Sequence, residues 1–257
     1  MNSTYRIFGL NISSVIPLPA PSVIHPQSNA DPDVVIEYGQ TPAVLADPRF
    51  KGARFQAGPG EFLLEVDGVA RYYVRDARCI TVMPEVGVHD DDVLIFLMGS
   101  VMGALLHQRN ILALHAGAIA VNGQGIIFCG PSGVGKSTLA AGFHRRGYSF
   151  LSDDICAITM DNGHPAIIPG FPRLKLWADT LEKLNADKKE LKSVRWNKKL
   201  EKYFLPVDSL QGAPVPIKYV FVLKSVNTDK MELTALRGAE KVDPLIYNTY
   251  RFRFLKG

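Results

Sequence analysis

The stretch GIIFCGPSGVGKST, Gly125 to Thr138, decides how the chain is to be read. Its first half is a short apolar, β-branched run bounded by glycines, the composition of a buried strand. Its second half satisfies GxxxxGK[ST] from Gly130 to Ser137 and leads into a helix predicted from Ser137 to about Arg146. A strand that feeds a glycine-rich loop and then a helix is the context in which that spacing carries chemistry. The glycines let backbone N–H groups curl around phosphate oxygens at a helix N-terminus. Lys136 is placed to reach the β- and γ-phosphates, and the Ser137 hydroxyl to ligate Mg²⁺. The candidate nucleotide-binding residues are therefore Gly130, Ser132, Gly133, Val134, Gly135, Lys136, Ser137 and Thr138.

Two neighbouring features narrow the chemistry. Upstream, ALHAGAIAVNGQGIIFCG has two apolar runs flanking Asn122-Gly123, a dipeptide suited to a tight hairpin turn. Counting back from that turn pairs His115 with Gly130 or Pro131, beside the phosphate loop, where an imidazole can donate to phosphate or assist a proton. Downstream, SFLSDDICAI (Ser149–Ile158) sets Asp153 and Asp154 side by side at the end of a short apolar strand. One short helix separates that strand from Lys136, so it is predicted to return beside the phosphate-loop strand with its C-terminal end facing the nucleotide. Alternation of side chains relaxes at a strand end, so both acids can converge if the strand stops at or before Asp153. Mg²⁺ needs a hard carboxylate, and a hydroxyl acceptor needs one to take its proton. One acid for the metal and one for the base is the economical reading of Asp153 and Asp154, and the residues themselves leave open which does which.

Composition excludes more than it proposes. A formal net charge of +4 over 257 residues is mild, and no aromatic-plus-basic pattern points to nucleic acid. Cys79, Cys129 and Cys156 are scattered, which argues against a disulfide framework or zinc site and suits a reducing cytoplasm. The apolar run Val93 to Leu106 is shorter than the roughly 20 residues a membrane span needs. Asp90, Asp91 and Asp92 before it read as an N-cap and first-turn acids of a buried helix. The charge-dense segment Lys183 to Lys202, with Leu191, Val194 and Trp196 interleaved, reads as a helix or partly ordered segment with a solvated face, the alternative being a basic surface that holds an acidic peptide. IKYVFVLK (Ile217–Lys224) reads as a strand returning to the central sheet. No NKxD or LSGGQ-like segment supports a GTPase switch or a transporter motor.

With LHAG (His115), GPSGVGKST (Lys136, Ser137) and SDD (Asp153, Asp154) in that order, the sequence resembles the HPr kinase/phosphorylase family over roughly residues 112–158. The resemblance implies ATP-dependent phosphorylation of a serine hydroxyl, the first aspartate acting as base, and a P-loop core with a mixed sheet. The chain departs from that family after the Asp pair, where IIPGFPRLKLW (Ile167–Trp177) lacks the acidic segment. A glutamate metal ligand and the phosphorylase activity therefore do not carry over. Together with LLHQRNILALHA, this pattern looks more like the HPr-kinase homologues of lasso-peptide biosynthesis, which implies a precursor-peptide partner phosphorylated at its C-terminal serine. Arg173 and Lys175 are candidate partners for phosphate or a peptide carboxylate, or surface charges flanking a buried Leu-Trp pair.

The expected fold class is α/β: an HPr-kinase-type P-loop kinase core with a mixed sheet, plus a β-rich N-terminal subdomain. Residues 1–88 form that subdomain, and 89–257 the kinase domain. Its C-terminal RFRFLKG shows no evident closing element and leaves a missing piece open. The expected protein is a cytoplasmic serine kinase using ATP and Mg²⁺, with no nucleic-acid or membrane partner. By family resemblance it is a homo-oligomer. Alternatives are a kinase of free serine or another small hydroxylated metabolite, and a non-catalytic ATP sensor.

Overall fold

The computed structural model describes residues 2–21, 31–184, 191–193, 201–208, 212–228 and 230–256. The first sheet holds β1 (Ser3–Ile7), β2 (Leu10–Ser14), β3 (Val34–Tyr38), β4 (Phe50–Lys51), β5 (Phe55–Gly58), β6 (Glu61–Val66), β7 (Ala70–Arg75) and β8 (Cys79–Pro84). Their spatial order is β1-β2-β3-β8-β7-β6-β5-β4. The predicted strand YRIFGLNI is in fact a hairpin, because Phe8 and Gly9 both take positive φ, 53° and 72°, the geometry of a two-residue turn that matches strand twist. EFLLEVDGVARYYVRD is likewise a hairpin, β6 against β7 from Glu61↔Arg75 to Val66↔Ala70.

The predicted buried helix is a continuous helical run: α1 (Asp90–Phe96), a π-helical turn (Leu97–Val101) and α2 (Met102–Gln108). Its N-cap is His89, not an aspartate. Extended at φ −79° and ψ 139°, His89 accepts the Asp91 amide on its side chain, and Asp90, Asp91 and Asp92 fill the first turn, where negative charge is favourable beside the positive end of the helix dipole. Val93, Leu97, Val101 and Leu105 pack in one cluster with Ile36, Tyr72, Ile80 and Val82 of the first sheet. Among the described residues no helix is long and apolar enough to cross a membrane.

The remaining elements are β9 (Leu112–Leu114), β10 (Ala116–Val121), β11 (Gln124–Cys129), α3 (Lys136–His144), β12 (Ser149–Ser152), β13 (Cys156–Asp161), β14 (His164–Ile168), β15 (Arg173–Trp177), α4 (Ala178–Lys183), β16 (Lys192–Ser193), β17 (Lys202–Pro206), β18 (Val215–Val222) and α5 (Val242–Tyr247). Seven strands make a mixed sheet in the order β12-β10-β11-β18-β14-β13-β9, and β15-β17-β16 form a small third sheet. The class is thus α/β with mixed sheets. Asn122 and Gly123, at φ 49° and 74°, close the β10–β11 hairpin, whose register runs from Val121↔Gln124 to Ala116↔Cys129. The ladder ends there, and the next amide on each strand, His115 and Gly130, bonds to Asn248 at 2.7 and 2.8 Å. IKYVFVLK forms most of β18, which pairs in parallel with β11.

Strand β12 does not lie beside the phosphate-loop strand. β10 and β18 occupy both edges of β11, so β12 pairs antiparallel with the outer edge of β10. Two antiparallel steps leave β12 running the same way as β11, and its C-terminal end still faces the loop. Of the charge-dense segment, residues 185–190 and 194–200, including Val194 and Trp196, lie outside the described residues, and Lys192–Ser193 form a strand rather than a helix.

The C-terminal stretch does close onto the molecule. After α5 come Tyr250 and a 3₁₀ turn, Phe252–Lys256, and the Phe254 ring packs 4.5 Å from Phe55 and 4.6 Å from Phe62, centroid to centroid. Tyr250, 4% exposed, lies in a groove of the helical run. A Cβ on Gly103 would meet its Cδ1 at 2.7 Å, and one on Gly99 its hydroxyl at 3.3 Å. Its backbone is fixed by Tyr250 N–H to Ala113 O, 2.7 Å, so the ring cannot retreat. Gly103→Ala is therefore expected to lower stability by about 1–2 kcal/mol, because overpacking of roughly 1–3 kcal/mol outweighs the helix-propensity gain of up to about 1 kcal/mol. Urea unfolding checks this, and an unchanged or raised midpoint would show that the groove is not tight.

Candidate active site

The site assembles at the ends of β10, β11 and β12. β12 stops at Ser152, before the Asp pair, and Asp154 then takes φ 68°. Aspartate tolerates this left-handed conformation as a single residue. The turn is closed by Ile155 N–H to Asp153 O at 2.8 Å and by the Ser152 hydroxyl on Ile155 O. Strand alternation therefore no longer applies, and both carboxylates line one pocket with His115, Lys136 and Ser137.

The loop from Gly130 to Gly135 joins β11 to α3. Gly133 and Gly135 have φ of 86° and 103°, values an L side chain strains to adopt. Lys136 is 6% exposed, and its Nζ donates to Gly130 O at 2.8 Å and Pro131 O at 3.0 Å. Ser137 Oγ donates to Asp153 Oδ1 at 2.8 Å, and Lys175 N–H donates to Asp153 Oδ2 at 2.9 Å. Thr138 Oγ1 lies 3.3 Å from Thr180 Oγ1, tying α3 to α4.

The electrostatics separate the two acids. Burial raises Asp153 to about 6, with Asp154 adding to the shift and the hydrogen bonds from Lys175 N–H and Ser137 opposing it. Enclosure works against the charge of Asp154 too, but Lys175, His115, Arg251 and Arg173 outweigh it and hold Asp154 below the ordinary carboxylate range. His115 Nδ1 is 3.7 Å from Asp154 Oδ1, and these side chains are 37% and 36% exposed, open to a ligand. Burial lowers His115 despite Asp154, so its imidazole is neutral near pH 7 and able to take a proton.

A second wall comes from the third sheet. Alternation along β15 buries Leu174 and Leu176 and turns Arg173, Lys175 and Trp177 to the other face. Lys175 and Trp177 line the pocket with Lys202 of β17, whose Nζ lies 4.0 Å over the Trp177 ring. Arg173 does not line it. Its guanidinium stacks 4.2 Å over Phe204, and burial lowers it to about 10. Trp177, 39% exposed, is not half of a buried Leu-Trp pair.

Of the loop residues predicted from sequence, Ser132, Gly133, Gly135, Lys136, Ser137 and Thr138 line the pocket. The Gly130 amide instead donates to Asn248 Oδ1 at 2.8 Å, and Val134 packs toward Gly130. Residues missed from sequence are Trp177, Lys202, Asn248, Tyr250 and Arg251. The aromatic run in KYFLP offered a strand signal for Lys202, but nothing local in YNTYR signals a return to the site. Ser137, Asp153 and Asp154 supply only hard oxygen donors, which fit Mg²⁺, an ion commonly held by one or two carboxylates together with phosphate and water. The glycine-rich loop fits a nucleotide phosphate chain.

No protein-family model matches this chain. It is 41% identical over 56 residues to two HPr kinase/phosphorylases of Treponema pallidum, one from the Nichols strain and one from a second strain of subspecies pallidum, a segment covering 22% of this chain and 18% of each relative. The chain thus matches less than a fifth of the length of these curated relatives, and its similarity to HPr kinase/phosphorylases is partial. The structure of the Hpr(Ser) kinase/phosphatase from Coxiella burnetii superposes with a TM-score of 0.20 and 24% identity, covering 21% of this chain and 33% of that one.

The raised Asp153 carries a pH signature. Its ordinary value of 3.8 becomes about 6 on folding, so between these values the folded chain binds more protons and stability falls as pH rises. Asp153→Asn cannot ionise. Its stability relative to wild type is expected to grow across that window and to level off above it. Urea midpoints of both proteins at about pH 4 and about pH 7 check this, and an equal difference at both would show that Asp153 is not raised.

Proposed function

We propose that the chain is an ATP-dependent, Mg²⁺-assisted kinase that transfers the γ-phosphoryl group of ATP to a serine hydroxyl of a peptide, the C-terminal serine of a lasso-type precursor being the expected acceptor. The observation that carries this is the 2.8 Å hydrogen bond from Ser137 Oγ to Asp153 Oδ1. It puts a carboxylate of raised proton affinity, already holding a hydroxyl, at the mouth of the phosphate loop. A base is most effective when its pKa lies near the working pH, which favours Asp153 for that role. Asp154, kept anionic by its cationic neighbours, suits a cation held jointly with Ser137. Bound there, Mg²⁺ would neutralise charge on the β- and γ-phosphates.

Asp153 takes the proton of the acceptor hydroxyl as its oxygen forms a bond to the γ-phosphorus, and the bond from that phosphorus to the β–γ bridging oxygen breaks to leave ADP. Lys136 keeps its contact with Gly130 O and turns its remaining ammonium donors to phosphate oxygens, holding their charge. His115, neutral and next to Asp154, orients a phosphate oxygen or accepts a proton. Similarity to HPr kinase/phosphorylases over 56 residues supports the kinase class. One observation favours a smaller acceptor, free serine or another hydroxylated metabolite: the pocket is lined from His115 to Lys202, with no residue of the first sheet.

Mass spectrometry of a candidate precursor peptide incubated with the chain and Mg·ATP, beside the same peptide ending in alanine and free serine, distinguishes these acceptors. Asp153→Asn is expected to lower transfer by about 10²–10⁴-fold with Mg·ADP affinity kept, and Asp154→Asn to raise the Mg²⁺ requirement. The opposite pattern would exchange the two roles, and wild-type transfer by Asp153→Asn would remove the base assignment.

A further inference from the structure

Asn248, at the C-terminal end of α5, has every polar atom engaged. Its Oδ1 accepts the Gly130 amide at 2.8 Å and its Nδ2 donates to Pro244 O at 2.7 Å. Its backbone N–H donates to Pro244 O at 3.1 Å, and its carbonyl accepts the His115 amide at 2.7 Å. The amide orientation is fixed by these partners, since Gly130 N–H requires an acceptor and Pro244 O a donor. We infer that Asn248 is a positioning residue for the phosphotransferase chemistry proposed above, setting Lys136 and His115 from outside the phosphate loop.

The Gly130 peptide units explain how. The amide of Gly130 is held by Asn248, and the carbonyl of Gly130 receives Lys136 Nζ. Gly130 has little freedom otherwise: a Cβ there would meet Leu223 O at 2.7 Å. Asn248 thus fixes the carbonyl on which the lysine rests, while its own carbonyl fixes the start of the His115 strand. Because Oδ1 takes the Gly130 amide, that N–H is withdrawn from the phosphate cradle, which begins beyond it. Asn248 is itself anchored. Thr249 bridges Leu114, and Tyr250, fixed in the glycine groove of the helical run, stacks on the His115 ring at 5.9 Å and 12°. The inference rests on the proposed kinase activity for its consequence, and on the hydrogen bonds for its geometry.

Amide hydrogen exchange on the wild-type chain tests the geometry by itself. Gly130 N–H is expected to be protected both alone and with Mg·ADP, and exchange at the rate of an unstructured amide without nucleotide would overturn the clamp. Asn248→Ala is expected to lose that protection and to lower kcat about 10–100-fold, the size of loss a small misplacement causes, while the Kd for Mg·ADP moves less than about threefold. Asn248→Asp, which keeps an acceptor for Gly130, is expected to keep the protection and recover part of the turnover. An Asn248→Ala chain with wild-type kcat per folded molecule and only a lower unfolding midpoint would reduce Asn248 to an ordinary helix terminus. A wild-type chain that binds Mg·ADP yet transfers phosphoryl to no acceptor would sink the kinase activity and the positioning role with it, whereas an unprotected Gly130 in an active chain would sink the clamp alone.

Discussion

The hydrogen bond between Ser137 and Asp153 joins the first turn of α3 to the end of β12, two segments that reach one point by different routes. β10 lies between them and must be thin enough to let them meet. Gly117 supplies this: a Cβ there would lie 3.4 Å from Lys136 O and from Ala140 Cβ, and 3.7 Å from Asp153 Oδ1. Ala140 and Ala141 of α3 are buried on the same face, packed with Ile119 of β10, so the helix sits close on the hairpin. Larger side chains on that face would separate the hydroxyl from the carboxylate by more than a hydrogen bond can span.

The same closeness makes the site electrostatically costly. Asp153 is enclosed beside a second carboxylate, and Lys136 is buried with only carbonyl oxygens on its ammonium. Enclosed ions without full partners are unfavourable, and here the compensating charges, Lys175 and Lys202, stand on the opposite wall. An anionic ligand between the walls would give each cation a partner. Such an anion would relieve the cations alone, and the paired carboxylates call for a cation of their own.

Much of this was legible in the sequence where the signals are local. The loop spacing, the Asn-Gly turn that brings His115 to the pocket of the glycine-rich loop, and the strand–acid–acid order each follow from backbone chemistry over a few residues. The order of strands was not legible: both edges of β11 are taken by partners, one of them β18, far away in sequence, and no local pattern records that competition. The two readings of Arg173 could not be separated for a related reason, since the Phe204 ring under its guanidinium belongs to another strand. Asn248 and Tyr250 were invisible because neither carries a motif. Their importance comes from two glycines in a distant helix and one amide in the loop.

The parallel pairing of β11 with β18 has a consequence in time as well as space. Gly130–Ser137 is encoded within a handful of residues, but its strand stays open along one edge until Val215–Val222 arrives, and its first amide lacks an acceptor until Asn248 follows. Pairings between such distant segments form slowly. During synthesis from the N-terminus, the nascent chain carries a complete glycine-rich loop on an unsupported strand, with an apolar edge exposed to other chains. The most locally specified part of the molecule is among the last to be fully supported, so conditions that slow chain completion act first on the glycine-rich loop.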